Sequence, residues 1–367
     1  MRNRRGHRGL SGLAAVTAAA GVMALAAVVP VWTSHLGAGY ARAAAAGACS
    51  GNFAKPAELN IAYQIIPNAD PVVRHEKWLE NDPKLKGVKI NWHEFAAGAD
   101  VNRAIAGNGL DVGLAGTTPV AVALSTGLNY QVVWMYDLEG SNEALVVRKS
   151  AGINSVKDLA GKTVAVTFVS TTHYSLLSAL KLAGIIDKVK LLDMEPPDAL
   201  AAWKRGDLYA AYMWEPTLSE EVADGGKIIL TSAEMAKQGY VTGDLAVLRP
   251  AFGKQYPCVV AEWVKQESRA IDLYQRDPQK AAADVAAEFG ITPKQALSQM
   301  RELTIIDGKG QLGPKWLGTP GKSGEMAGTL YKTAQYLIQQ QVVKAIPSQQ
   351  AFKDAIKPEY LQTALGR

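Results

Sequence analysis

The sequence predicts an α/β fold with two lobes, and three observations support this. The chain has 367 residues, which is enough for two lobes. From Leu59 onward, strand-like and helix-like segments alternate, as is typical of largely parallel sheets covered by helices. Segments 103–119 and 201–216 each read as helix, Gly-containing turn, short strand and a loop that ends at Pro. If each lobe contributes one such loop, the two face each other across a cleft; a chance similarity is the alternative.

The first 48 residues predict an export signal. An Ala-rich apolar run from Leu10 to Val29 is followed by small residues up to Ala48, and it is preceded by Arg2, Arg4, Arg5 and Arg8. No later segment is long and apolar enough to cross a bilayer. We therefore expect residues 1–48 to be a signal peptide and the mature chain to be exported.

The charge of the mature chain argues against some partners. The full sequence has a formal net charge of +5, but residues 1–48 contain five Arg and no acid, which leaves 34 basic and 34 acidic residues. Nucleic acid and anionic membrane surfaces require a basic excess, so neither is expected as a partner. Any anionic ligand must then be held by local geometry.

The predicted elements follow in order from Leu59. Apolar alternation or β-branched runs predict strands at 59–64, 87–95, 109–116, 129–137, 143–149 and 162–169. Helical patterns between them predict helices at 70–82, at 100–106, from 119 to near Gly127, and a short one from Ser155. Beyond Arg249 the chain is predicted to be mostly helical, with a Gly- and Pro-rich stretch at 307–321.

The segment "FVSTTHYSLLSAL" (168–180) places several polar side chains at the start of a predicted helix. One hydroxyl is enough to cap the free N–H groups of a first helical turn. Additional hydroxyls at that position also suit an anion site, where N–H groups, the helix dipole and side chains converge on a sulfonate, phosphate or carboxylate. Both interpretations remain open from this segment alone.

Catalytic constellations are hard to find in the sequence. Only His75, His93 and His173 follow the leader, and there is no C-x-x-C or H-E-x-x-H motif. No G-x-S-x-G motif surrounds Ser170, and no Walker loop or dinucleotide fingerprint follows a predicted strand. Binding without reaction is therefore the preferred hypothesis, with no cofactor and no metal expected.

Two cysteines, Cys49 and Cys258, remain after the leader. In an oxidising compartment they predict one disulfide that ties the mature N-terminus to the body of the protein. The alternative is a lipoprotein acylated at Cys49, for which the preceding "AGA" is an unfavourable context because Ala46 stands where Leu is expected.

Several linked motifs carry a family resemblance: "GLDVGLAGTTPVAVA", "NEALVVRKSAGINSVKDLAGKTVAV", "FVSTTHYSLL", "EPPDALAAWKRGDLYAAYMWEP" and "GDLAVLR". From about Leu59 onward the chain resembles the periplasmic substrate-binding proteins of ABC importers for sulfonates, nitrate and taurine. "STTHYSLL" together with "YMWEP" is similar to the taurine branch. The resemblance implies a type II periplasmic binding protein fold, hinge closure around a ligand, a periplasmic location, ABC permease partners and a monomer.

The same resemblance implies domain boundaries. Lobe 1 would comprise residues 57–147 and 246–367, and lobe 2 would comprise residues 148–245. The chain would cross between lobes near Leu145–Arg148 and near Leu245–Arg249.

The resemblance also implies a ligand, taurine, which carries a sulfonate and an ammonium group. The sulfonate would be bound by hydroxyl and helix N-terminal donors at Thr117, Thr118, Ser170, Thr171, Thr172 and His173. His173 as an ordinary helix residue, and Thr117 and Thr118 as helix caps, are the alternatives.

Two acids and an aromatic residue are implied at the ammonium end. Glu143 and Asp244 would pair with the ammonium, Trp214 would provide a cation–π wall, and Gln64 would contribute an amide. Ala246 departs from the family, which has an aromatic residue there, and the loop "EGSN" before Glu143 is also altered. Another sulfonate, a small anion or an amino acid is therefore an alternative ligand. An enzyme similar to the thiamine pyrimidine synthase is a more distant alternative, because that branch uses a cysteine-rich motif.

Overall fold

The computed structural model describes residues 49–367, so the predicted signal peptide lies outside the described residues. The strands in chain order are β1 (Glu58–Tyr63), β2 (Lys89–Glu94), β3 (Val112–Gly116), β4 (Gln131–Leu138), β5 (Glu143–Arg148), β6 (Thr163–Val166), β7 (Lys190–Asp193), β8 (Ala210–Trp214), β9 (Gly226–Thr231), β10 (Gly243–Leu248), β11 (Gly318–Thr319) and β12 (Lys322–Ser323).

The helices connect and cover these strands. In chain order they are α1 (Asp70–His75), α2 (Gly98–Ala106), α3 (Thr117–Ser125), α4 (Thr171–Leu182), α5 (Pro196–Arg205), α6 (Thr217–Ala223), α7 (Ser232–Lys237), α8 (Pro250–Gln255), α9 (Pro257–Arg276), α10 (Pro278–Phe289), α11 (Pro293–Met300), α12 (Gly308–Gln311), α13 (Met326–Gln339), α14 (Gln349–Ala355) and α15 (Glu359–Ala364). The predicted helix at 70–82 is shorter than expected. It ends at His75, and Lys77 adopts a positive φ of 52°, which a continuing α-helix does not allow.

Two five-stranded sheets share one topology. The first has the strand order β2-β1-β3-β10-β4, and the second has the order β7-β6-β8-β5-β9. In each sheet four of the five strands run in one direction, and one strand lies antiparallel between its two neighbours: β10 in the first sheet and β5 in the second. The sheets are therefore mixed, and apart from this one strand each sheet has the largely parallel arrangement that the sequence predicted. Segments 103–119 and 201–216, which the sequence marked as similar, provide the equivalent central strands β3 and β8.

The chain passes between the sheets earlier than predicted. It leaves the first sheet after Leu138 and enters the second at Glu143, then returns to the first sheet at Gly243. The predicted crossings at Leu145–Arg148 and Leu245–Arg249 therefore fall within β5 and on the last part of β10 with the residue after it, where the apolar residues form the sheets. The division into two lobes that move separately stays a prediction.

Both sheets are covered on both faces, which explains the continuous apolar runs in the sequence. Along β5, Ala144 and Val146 pack into one buried cluster, while Leu145 and Val147 pack into another on the opposite face. Helices α9 and α15 pack against β4, which is the edge strand of the first sheet opposite β2. Helix α13 packs against α3. The helical C-terminal region predicted beyond Arg249 is confirmed.

The N-terminal end of the described chain is attached to α9. Cys49 and Cys258 form a disulfide across a sequence separation of 209 residues. Within residues 49–367, no helix has both the length and the hydropathy that a membrane span requires.

Candidate functional site

A cavity lies where the two sheets meet. Its lining comes from the ends of strands, the starts of helices and the passage between the sheets: Gln64, Ile66, Ala97, Gly98, Gly116, Pro119, Glu139, Asn142, Glu143, Ser170, Thr171, Trp214 and Asp244. Six of the ten predicted ligand residues are in this set, and Thr117, Thr118, Thr172 and His173 are not. No lining residue is Lys or Arg, so a charged ligand would meet carboxylates and neutral donors only.

The shared topology explains why two acids meet at the cavity. Asp244 lies at the start of β10 opposite Gly116 of β3, and Glu143 starts β5 opposite Trp214 of β8. Because β10 and β5 occupy the same position in their sheets, the two acids are related by the repeat of the fold. Each sheet thus contributes one carboxylate from its antiparallel strand.

Three helices begin at the cavity. Ala97 and Gly98 start α2, Gly116 precedes α3, and Ser170 and Thr171 start α4. Neither α2 nor α3 has a side chain capping its first N–H groups. Free N–H groups and the positive ends of helix dipoles favour an anion, so this side of the cavity is suited to a sulfonate or carboxylate.

Gly116 allows the two sheets to approach. A Cβ atom at this position would lie 2.8 Å from Cγ2 of Thr171 and 3.4 Å from Oδ1 of Asp244. The side chain of Thr171, at the start of the helix α4 that follows β6 of the second sheet, therefore packs directly against the backbone of β3 in the first sheet. Glycine is required at position 116 because there is no room for a side chain. The backbone conformation is not the reason, since a φ of −62° suits any residue.

Thr117 and Thr118 are the first two residues of α3, and both are fully buried. Among the described residues, neither side-chain hydroxyl has a hydrogen-bond partner. They lie next to the cavity in sequence, between Gly116 and Pro119, but do not line it. Their predicted role in sulfonate binding stays a prediction.

Ser170 caps α4, as the sequence allowed. Its Oγ accepts a hydrogen bond from the backbone N–H of His173 at 3.1 Å and donates to the carbonyl of Thr167 at 2.6 Å. Thr172 Oγ1 lies 2.6 Å from the same oxygen and is buried away from the cavity. Ser170 therefore both caps α4 and lines the cavity.

His173 has a local structural environment. Its Nδ1 accepts a hydrogen bond from the backbone N–H of Val169 at 3.2 Å, and its ring stacks on Phe168 with 4.7 Å between ring centroids. Burial lowers the pKa of His173 to about 4, so the ring is neutral at pH 7. These contacts agree with the alternative interpretation of His173 as an ordinary helix residue.

Glu143 is oriented by the second sheet and its helices. Thr171 Oγ1 donates to Oε1 of Glu143, and Ser232 Oγ donates to Oε2 at 2.9 Å. Ser232 in turn lies 3.0 Å from the hydroxyl of Tyr212. These contacts fix the carboxylate at the cavity wall with only 2% of its surface exposed.

The acidic end also contains residues that were not predicted. Glu139 accepts a hydrogen bond from Asn142 Nδ2 at 2.5 Å, and the Oδ1 of Asn142 accepts from the N–H of Gly140 at 2.7 Å. Glu139 and Asn142 line the cavity from the passage between the sheets. Asp137, Glu139 and Asp244 each present one carboxylate oxygen such that all three atoms lie within 4.8 Å of one another.

The environment of these acids opposes their charge. Burial, and then the nearby Glu139, raise the pKa of Glu143 and of Asp244 well above their usual ranges. Burial raises the pKa of Glu139 to about 7. A cation bound among these carboxyls would reverse the effect by stabilising their ionised forms.

Trp214 and Gln64 complete the wall. Trp214 ends β8 and is 8% exposed, so its ring is largely covered by the protein. Gln64 follows β1, and its Nε2 donates to the carbonyl of Leu114 at 3.2 Å. Both line the cavity.

The two mixed sheets and their helices form the fold of the type II periplasmic binding proteins. The chain belongs to the NMT1-like family, whose model matches residues 53–290. It is 33% identical over 302 residues to the taurine-binding periplasmic protein of Escherichia coli strain K12, covering 80% of this chain and 90% of that one.

Solved structures share the fold. The alkanesulfonate-binding protein SsuA from Xanthomonas axonopodis pv. citri, bound to MOPS, superposes with a TM-score of 0.69 at 21% identity, covering 83% of this chain and 99% of that chain. The desulfurization enzyme DszB superposes with a TM-score of 0.60 at 15% identity over 84% of this chain and 99% of that chain. The same architecture therefore occurs in binding proteins and in an enzyme.

Proposed function

We propose that this protein captures taurine outside the cytoplasm and delivers it to an ABC importer, with the lobes closing around the ligand. One observation carries the proposal: carboxylates from equivalent strands of the two sheets share a cavity with three helix N-termini, and no basic residue lines it. Such a cavity combines groups that favour a cation with groups that favour an anion.

The sulfonate would lie at the helix N-termini. The uncapped N–H groups of α2 and α3 are neutral donors, and a sulfonate offers three oxygens to accept from them. A fully ionised sulfonate needs no proton from the protein. Thr117 and Thr118 would support this end if their unpaired hydroxyls turn toward the ligand.

The ammonium would lie against the acids. Asp244 Oδ2 has no hydrogen-bond partner among the described residues, and Glu139 and Glu143 line the same wall. An ammonium has three N–H donors, which matches three carboxylates better than one. Trp214 would cover the ammonium or the methylene groups with its ring.

Transport without chemistry is the simplest role for this site. The lining contains no Cys or His, and His173 is held by backbone and ring contacts outside the cavity. The export signal predicted at 1–48, the disulfide and the similarity to a periplasmic taurine-binding protein support a periplasmic location. The permease would recognise the closed lobes of a monomer.

Calorimetric titration of the leader-free protein with taurine, ethanesulfonate, β-alanine and nitrate tests the proposal. Taurine should bind more tightly than the other three, because only taurine combines a sulfonate with an ammonium at the right spacing. Equal or tighter binding of ethanesulfonate would remove the ammonium site and favour an alkanesulfonate carrier, as the similarity to SsuA would allow. Tighter binding of β-alanine would favour an amino acid carrier.

A further inference from the structure

More carboxyl groups are buried near the cavity than one ammonium can neutralise. Asp137, Glu139, Glu143 and Asp244 are each at most 5% exposed, and together they could carry four negative charges. Isolated buried charges are strongly unfavourable, so most of these groups must be neutral or paired in the ligand-free protein.

Asp137 is the unexplained member of this group. It lies opposite Asp244 in the pairing of β4 with β10, it is 1% exposed, and neither of its carboxylate oxygens has a hydrogen-bond partner at ordinary geometry among the described residues. Burial and the nearby acids raise its pKa well above the usual range, although the neutral side chain of Asn68 lies near it and lowers that pKa. It does not line the cavity, so a ligand of the predicted kind would not contact it. Its position behind Asp244 gives it influence over the charge of a residue that does line the cavity.

Within residues 49–367, the surroundings provide no cation to these four carboxyl groups. The titratable groups that face them from the packed elements are acids and tyrosines: Tyr136 on β4, Asp70 on α1, Glu267 and Tyr274 on α9, and Tyr212 on β8. Arg74 influences Asp70, but its guanidinium is paired with Glu288 at 2.6 Å. Protons are therefore the available neutralising charge when the cavity is empty.

Resting on the proposed function, we propose that the ammonium group of the ligand takes the place of a proton held by the carboxyl cluster of Asp137, Glu139 and Asp244, with Asp137 setting how firmly that proton is held. On binding, the O–H bond of one cavity-lining carboxyl breaks and its proton passes to bulk solvent. The resulting carboxylate accepts a hydrogen bond from the ammonium. No electron transfer is involved, and the net charge at the acidic end of the cavity stays nearly constant, because one positive charge replaces another.

The consequence is a specificity rule. A ligand with a cationic group can displace the proton. A ligand that has no cationic group leaves the cluster protonated and obtains no binding free energy from it. Capture should weaken as pH falls below about 7, where Glu139 titrates, because protons then compete with the ammonium. The sulfonate end, which has no titrating partner in the lining, should not contribute to this dependence.

The test is taurine calorimetry at pH 7 in phosphate, HEPES and Tris, whose different ionisation enthalpies convert released protons into a buffer-dependent heat. We expect at least half a proton to be released per taurine bound. In Asp137→Asn the release should fall to less than half of the wild-type value, since Asp244 loses its like-charged neighbour and ionises at lower pH. The exposed Asp187→Asn is the matched control and should behave as wild type.

Two outcomes separate this inference from the proposed function. Taurine binding with the same heat in all three buffers would overturn the proton exchange and leave the taurine function intact. Infrared spectroscopy of the ligand-free protein tests the cluster without any ligand: a protonated-carboxyl C=O band that weakens in Asp137→Asn supports the inference. Absence of that band would overturn it, whether or not taurine binds.

Discussion

At the scale of residues, Glu143 and Asp244 carry the proposed selectivity. Both could be identified from the sequence, because each directly precedes an apolar run inside a motif typical of the family. Glu139 and Asn142 were harder to predict, since their roles depend on where the chain passes between the sheets. Asp137 was not singled out from the sequence: it lies near the end of a strand that is mostly apolar, and the pairing with Asp244 is what reveals its position.

Glu143→Gln and Asp244→Asn should each weaken taurine binding by at least about tenfold, because each removes a buried partner of the ammonium. Binding of ethanesulfonate should change much less, since that ligand has no ammonium. Calorimetry of both ligands measures the difference, and the exposed Glu220→Gln is the control. Equal losses for the two ligands would contradict the role of these acids.

At the scale of elements, the convergence of helix N-termini forms the anion end. The sequence indicated the N-termini of α3 and α4 through their Thr and Ser residues. The helix α2 was also predicted, but its place at the cavity was missed because Ala97 and Gly98 carry no polar side chain. Backbone N–H donors leave little trace in a sequence. The limits of the strands were predictable from their apolar runs. The crossings between the sheets were not, because the apolar runs of β5 and β10 resemble those of the strands on either side of them in the sequence.

Gly116→Ala should weaken taurine and ethanesulfonate together, because the new methyl group would press on Thr171 and separate α4 from α3. We expect a loss of about tenfold or more for both ligands, measured by the same titrations. Gly328→Ala in α13 is a suitable control, since no atom lies within 4 Å of the added Cβ, and Ala favours a helix by about 0.5–1 kcal/mol. Unchanged binding in Gly116→Ala would indicate that the anion lies elsewhere.

At the scale of the whole molecule, the buried acids should determine how stability depends on pH. Burial raises the pKa of Asp70 and of Glu139 to about 7 and that of Glu221 to about 8. The folded state therefore binds more protons than the unfolded state between about pH 4 and 8, so stability should fall as pH rises through this window.

The melting temperature of the ligand-free protein should accordingly be higher at pH 5 than at pH 8. Saturating taurine should reduce the difference by stabilising the ionised carboxyls. Thermal denaturation in a buffer series measures both effects. A melting temperature that rises steadily from pH 5 to pH 8 would contradict the account of buried, neutral acids.

The disulfide should stabilise the molecule without shaping the site. Cys49→Ser with Cys258→Ser should lower the free energy of unfolding by about 2–5 kcal/mol, because the link closes a long loop, while taurine affinity should stay within about twofold. Denaturant unfolding and calorimetry check the two parts. Intact mass of the exported protein tests the lipid alternative, since a lipid thioether requires the Cys49 sulfur that the disulfide uses.

The central claim is that one cavity binds an ammonium at the acids and a sulfonate at the helix N-termini. A crystal structure of the taurine complex tests it most directly. The account predicts the nitrogen within about 3.2 Å of carboxylate oxygens of Asp244 and of Glu143 or Glu139, and the sulfonate oxygens at the first turns of α2, α3 and α4. A taurine bound in the reverse orientation, or outside the cavity between the two sheets, would contradict it.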